Sequence, residues 1–126
     1  MPPRRRTPVD QGRAALAACR EAGWAADRRT TGAAVRYTLD ELATTSPWRT
    51  VEVRVPPFGA VQCIEGPVHT RGTPPNVIET DGPTWLRLVV GDLRWDDAVA
   101  GALVRASGQR AHLEGLLPLR SLNLGG

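Results

Sequence analysis

The stretch from Pro75 to Leu119 decides how this chain folds. It reads Asn76-Val-Ile-Glu-Thr80, Asp81-Gly-Pro-Thr-Trp-Leu-Arg-Leu-Val-Val90, Gly91-Asp-Leu-Arg-Trp-Asp-Asp-Ala-Val-Ala100, Leu103-Val-Arg-Ala-Ser107 and then Gln109 to Leu117. The spacing predicts strand, helix, helix, strand, helix. The punctuation is local. Asp81 can cap a helix whose early Pro83 gives up only an amide that had no partner. Gly91 suits the left-handed residue that follows a helix, and Pro118 stops the last one. Trp85, Leu88 and Val89 fall on one stripe of the first helix, with Leu86 and Val90 beside it. Val104 and Ala106 share one face of the strand. The last helix presents Leu113, Leu116 and Leu117, and Leu119, Leu122 and Leu124 follow in an apolar tail.

Upstream, Thr50-Val-Glu-Val-Arg-Val55 is the clearest strand, with Val51, Val53 and Val55 on one face and Glu52 and Arg54 on the other. Pro56-Pro-Phe-Gly59 turns the chain into a second strand, Ala60 to Glu65, and so short a connection favours an antiparallel pair. Val61 and Cys63 alternate with Gln62 there, while Ile64 falls on the Gln62 side. The longest loop, Gly66 to Pro75, collects His69, Thr70, Arg71 and Thr73 between glycines and prolines. Those groups can hold an anionic head group such as a phosphate or carboxylate, or simply satisfy the loop's own backbone.

Two helices precede the strands. Residues 33–43 place Val35, Leu39 and Leu42 at core-facing spacing, with Asp40 and Glu41 toward solvent and Asp27 to Gly32 as a polar connection. An earlier helix, capped by Asp10 and running to about Ala22, carries a thin alanine-rich apolar face with Leu16 and Cys19. Residues 1–9 are rich in proline and arginine and read as a disordered basic tail ahead of a single domain at 10–126.

A chain of 126 residues, 41% apolar and 23% charged, has enough material for one core without disulfides or metal. No run approaches the roughly 18 apolar residues that span a bilayer, and no apolar segment follows the N-terminal arginines to make a secretory signal. The expectation is a cytoplasmic protein with Cys19 and Cys63 as reduced, buried thiols. All sixteen basic residues are arginine. Residues 1–36 carry eight of them against three acids, a balance of +5, and the remainder carries eight against ten, a balance of −2. The basic character therefore belongs to the N-terminal third. A triple arginine alone does not make a nucleic-acid site, so nucleic acid is not an expected partner.

Catalytic patterns are absent from the sequence. His69 and His112 are far apart, there is no Cys-x-x-Cys or His-x-x-x-His, and Asp96-Asp97 opens a helix where acids favour the positive dipole end. No phosphate-binding glycine loop or nucleophile elbow occurs. The expectation is no enzyme, no cofactor and no metal. What the sequence does supply is apolar surface: Val51, Val53, Val55 and Val61 on the strands, the Trp85 helix, and the leucines from Leu113 to Leu124. That set can fill a core or line a cavity.

The helical turn around Trp85, the Gly91-Asp-Leu-Arg-Trp-Asp-Asp-Ala98 connector, Ala106-Ser-Gly108 after a strand, and Leu116-Leu-Pro-Leu119 together resemble the C-terminal half of the sterol carrier protein type 2 family. The resemblance covers roughly Val35 to Leu119. It implies an α+β fold with an about five-stranded mixed sheet, helices packed on one face, and here an extra N-terminal helix. It further implies a hydrophobic tunnel between sheet and helices that takes fatty acyl or other hydrophobic ligands. Trp85, Leu88, Val89, Val104, Leu113, Leu116 and Leu117 would lie near it. Val53, Val55 and Val61 are further candidates from the strand pattern, and His69, Arg71 and Thr73, in a loop with no obvious counterpart in the family, are candidates for a polar head group from their chemistry alone. The family's fold also serves as an accessory domain of larger bacterial enzymes. The other expectation is therefore a protein-interaction domain with a filled core and a protein partner.

Overall fold

The computed structural model describes residues 7–45, 51–63, 76–108, 117–119 and 122, without the side chains of Gln62 and Cys63. In chain order they form α1 (Val9–Glu21), α2 (Arg28–Thr45), β1 (Val51–Val55), β2 (Gly59–Cys63), β3 (Val77–Thr80), α3 (Gly82–Val90), α4 (Trp95–Ala100) and β4 (Val104–Ser107). This is an α+β arrangement with a mixed sheet. Four strands are present among the described residues, where about five were expected, and the expected last helix at 109–117 lies almost wholly outside them.

The sheet runs β2-β1-β3-β4. The short hairpin makes β1 and β2 antiparallel, with Val53 opposite Val61. β3 joins the other edge of β1 in parallel, Val53 opposite Ile78, and β4 returns antiparallel with Thr80 opposite Val104. Strand alternation then does what its period of two dictates. Val51, Val53, Val55, Ile78 and Thr80 are buried, while Glu52, Arg54, Val77 and Glu79 are half-buried. Across that second face Arg54 stands opposite Glu79, which stands opposite Arg105. Such a row of alternating charge suits cross-strand neighbours on a solvated surface.

The helices begin and end for local reasons. In α3 the Asp81 carboxylate accepts from the Thr84 amide at 2.8 Å, Pro83 occupies the first turn, and Gly91 follows in the left-handed region at φ 89°. Two boundaries differ from expectation. α1 starts at Val9 with Pro8 in the capping position, so Asp10 sits inside the first turn, where its charge still favours the helix dipole. α2 starts at Arg28, because Asp27 caps it: its carboxylate accepts from the Thr30 amide at 2.7 Å. The supposed polar connection at Asp27 to Gly32 is therefore mostly helix.

The larger correction concerns α2. Asp40 and Glu41, expected toward solvent, are 4% and 7% exposed. A single amphipathic stripe does not describe this helix, since α1 packs on it as well as α3 and β2. Neither carboxylate lacks a partner. Gly12 of α1 makes the α1–α2 approach possible: a Cβ there would overlap the ring of Tyr37. Leu16 and Cys19 continue the seam into the same core as Val35, Leu39 and Leu42. Phe58, at the tip of the β1–β2 hairpin, lies 3.0 Å from where a Cβ would stand on both Gly32 and Gly82. The two small residues let the hairpin tip close against the starts of α2 and α3.

Candidate ligand cavity

Helix α3 has two environments along its length. Its inward face, carrying Trp85, Leu86, Leu88 and Val89, is sealed. Trp85 is 0% exposed, and its indole Nε1–H donates to the Thr38 hydroxyl at 2.8 Å. Thr38 in turn donates within α2, its Oγ1 lying 2.9 Å from the Ala34 carbonyl and 3.0 Å from that of Val35. A buried indole N–H needs such a partner, and here it has one. Val89, Val53 and Val55 are likewise fully buried, and Val104 is nearly so.

The C-terminal end of α3, where the chain leaves the helix, is different. A cavity of about 270 Å³ opens there, lined by Leu88, Gly91, Leu93, Arg94, Trp95, Asp96, Leu117 and Pro118. Several local features hold it open. The Arg87 carbonyl accepts from Gly91, Asp92 and Leu93 at 3.1, 2.9 and 3.2 Å, which curls the chain sharply off the helix. That curl swings Leu93 and Trp95 back beside Leu88. The opposite wall comes from residues 117–118, anchored where the Leu119 amide donates to the Val89 carbonyl at 2.9 Å. Leu119 and Leu122 are buried in the core and fix that wall in place.

The expected site residues thus divide. Leu88 and Leu117 border the cavity, although Leu88 is also a member of the packed core. Trp85, Val89, Val53, Val55 and Val104 belong to the packed core, and Val61 is half-buried against it. His69, Arg71, Thr73, Leu113 and Leu116 lie outside the described residues. Sequence reasoning did not single out Leu93, Arg94, Trp95, Asp96 or Pro118 as site residues. For four of them a signal was present in the Gly91 to Ala98 stretch, where an apolar pair, Leu93 and Trp95, stands among charged residues; nothing in the sequence marked Pro118 beyond its role as a helix stop.

Around this frame the polar groups are mostly structural. Arg20 of α1 lies 3.8 Å from Asp92, a partly exposed pair that ties the end of α1 to the α3–α4 connection and contributes little energy. Burial pushes the Cys19 thiol up, with a hydrogen bond from Thr31 opposing it, so this thiol is protonated and poorly nucleophilic at neutral pH. Arg13 is held further toward its charged form, chiefly by its hydrogen bond to Tyr37. Among the described residues no cluster of three metal-ligating side chains occurs, and no helix is long and apolar enough to cross a membrane.

No curated protein matches this chain. A family model described as "Bacterial SCP ortholog" matches residues 27–119, which takes in every described element except α1. The match covers most of the chain, which therefore belongs to this bacterial family of sterol-carrier-like proteins.

Proposed function

We propose that this chain is a non-catalytic carrier-like domain that takes an apolar ligand, such as a fatty acyl chain, into the cavity at the end of α3. The observation that carries this reading is the cavity itself. Leu88, Leu93, Trp95, Leu117 and Pro118 contribute apolar walls, Arg94 and Asp96 add polar surface of similar extent, and the cavity opens to solvent. Binding is driven by burial of the ligand's apolar surface at about 25 cal/mol per Å². His69, Arg71 and Thr73 remain candidates for contacting a polar head.

The test is native mass spectrometry of the purified protein with organic extraction of anything bound, followed by displacement of a fluorescent acyl probe. The expected result is a probe that binds the natural protein and is lost in Leu93→Trp, which fills the cavity, with circular dichroism verifying the fold because Leu93 also packs against the core. A bare polypeptide mass with no probe binding across several lipid classes would refute it.

A second reading has its own support. Trp85, Val89, Val53 and Val55 are closed into a core with the indole hydrogen bond satisfied, which is how an accessory or protein-interaction domain with a filled tunnel would look. That reading gains if no probe binds and the folded domain instead captures a specific protein whose contact maps to this end of the molecule.

A further inference from the structure

We propose that the outer edge of β4 takes an extended segment of a partner protein as an added strand, and that this segment carries an acidic residue and, two positions along, an apolar one. This surface shares no lining residue with the cavity at the end of α3, and its role stands whether or not that cavity holds a ligand.

Among the described residues β4 ends the sheet, which runs β2-β1-β3-β4. Antiparallel pairing with β3 engages every second residue of β4, and the residues between turn their N–H and C=O groups outward. Among the described residues no backbone bond outside the β3–β4 ladder engages positions 104–107. The side chains leave the edge accessible as well. Val104 is buried, but Arg105, Ala106 and Ser107 are exposed, so an arriving strand meets exposed residues on both faces. Main-chain groups of such an edge can pair with an extended peptide, and its side chains set which peptide.

Two observations say what would pair. The first is where apolar surface is left uncovered. Val99 and Leu103, 47% and 42% exposed, are the exposed large hydrophobic side chains among the described residues. Both lie at the turn that leads into β4, where the Ala102 amide donates to the Val99 carbonyl at 3.1 Å and the Leu103 amide to the Ala98 carbonyl at 2.9 Å. Ala102 takes the left-handed region there, at φ 57°. Leu103 and Arg105 border one groove of about 270 Å³, together with Pro56 and Glu79. An added strand thus finds an apolar contact and a charged contact two residues apart on a single face.

The second observation is the order of charges across the strands. Arg54, Glu79 and Arg105 are cross-strand neighbours in that order, so the row ends on a cation at the outer edge. What singles out Arg105 among the exposed arginines is this place at the end of the row. An acid on the next strand continues the alternation. A second copy of β4, in the register that places Arg105 opposite itself, sets like charges together. The same side chain therefore favours an acidic segment and disfavours that self-pairing.

The probe is the acetylated and amidated peptide Ser-Thr-Glu-Val-Leu-Thr-Ser, in which Glu and Leu share a face, with versions carrying Gln or Lys in place of Glu. Each is titrated into the natural protein and into Arg105→Gln, with backbone amide signals followed by NMR and circular dichroism verifying the fold. Arg105 is exposed, so the variant is expected to fold. The expected result is a set of shifts centred on residues 104–107, with the Glu peptide bound about threefold more tightly than the Gln peptide and the Lys peptide weakest. In Arg105→Gln the Glu and Gln peptides should bind equally. Methylating every second backbone amide of the Glu peptide should abolish binding in the phase that faces β4. Equal binding of the three peptides by the natural protein would overturn the acidic partner. Shifts centred away from β4, or no binding by any peptide, would overturn the edge assignment. Concentration-dependent dimerisation in sedimentation that moves the same amides would overturn the partner segment in favour of a second copy.

Discussion

The α1–α2 seam and the end of α3 are both built from small elements with modest apolar faces, yet one is closed and the other hollow. At the seam, Gly12 lies against the Tyr37 ring so closely that a Cβ would collide, and Leu16 and Cys19 fill what remains. At the end of α3, Gly91 has a different role. A Cβ there would meet Pro118 at an ordinary 3.5 Å, so the residue is needed for its φ of 89°, which bends the connector around a cavity. The same residue type closes one interface and opens the other. A carrier needs both: a rigid frame to hold walls apart, and walls that do not meet.

That contrast can be broken by substitution. The largest effect is expected for Gly12→Leu, which forces side-chain atoms into the Tyr37 ring. It should cost about 3 kcal/mol or more in denaturant unfolding, at the upper end for overpacked cores. A near-neutral result would mean that α1 is loosely attached. Next comes Trp85→Phe, which removes the indole donor to Thr38 and leaves a gap in a fully buried site, at a cost of about 2 kcal/mol. Trp95→Ala provides the matched control. Trp95 is half-buried at the cavity wall, so the expected loss of stability is about 1 kcal/mol or less, with ligand binding largely abolished. If Trp95→Ala destabilised the fold as much as Trp85→Phe, the cavity wall would be core in disguise.

The smallest effect lies at the start of α2. The Thr30 backbone amide, then its hydroxyl, hold the Asp27 carboxyl below its ordinary value of 3.8. Because the folded state favours the ionised form, this contribution is present at neutral pH and is lost as pH falls through the depressed folded value. Asp27→Ala should lower the melting temperature by a few degrees at pH 7. The gap between variant and natural protein should close progressively once the pH drops below 3.8. A gap that stayed constant with pH would show that the carboxylate charge is not involved.

How much of this was legible in the sequence depends on the range of the interactions concerned. The α3 boundaries were readable because Asp81, Pro83 and Gly91 act on their own neighbours. The burial alternation of β1 was readable for the same reason, as was its antiparallel pairing with β2 through a short turn. Misreading Asp40 and Glu41 as solvated came from treating α2 as a helix with one partner, when α1 covers another side. No periodicity within α2 records what α1 does. Asp27 was read as connection because it resembles both a loop residue and a cap, and only the helix that follows decides between them.

The candidate cavity draws on residues of both kinds, expected and unexpected. Of the apolar residues expected around α3, Leu88 and Leu117 border the cavity at its end. Trp85 drew attention because it is the largest residue on the stripe, but size on a core-facing stripe favours burial. Trp95 is the first residue of the short helix α4, too short for a stripe to mark it. Only the fold brings this half-buried aromatic next to Leu88.

The most direct test of the central claim uses these two indoles. In an NMR titration with octanoate, the indole N–H signals of Trp85 and Trp95 are assigned by Trp→Phe variants and followed as ligand is added. The account predicts that the Trp95 signal moves in a saturable way while the Trp85 signal, locked to Thr38, stays in place. A Trp85 signal that moves first or furthest would put the ligand in the core between α3 and the sheet, and stationary signals from both would contradict ligand binding at the end of α3.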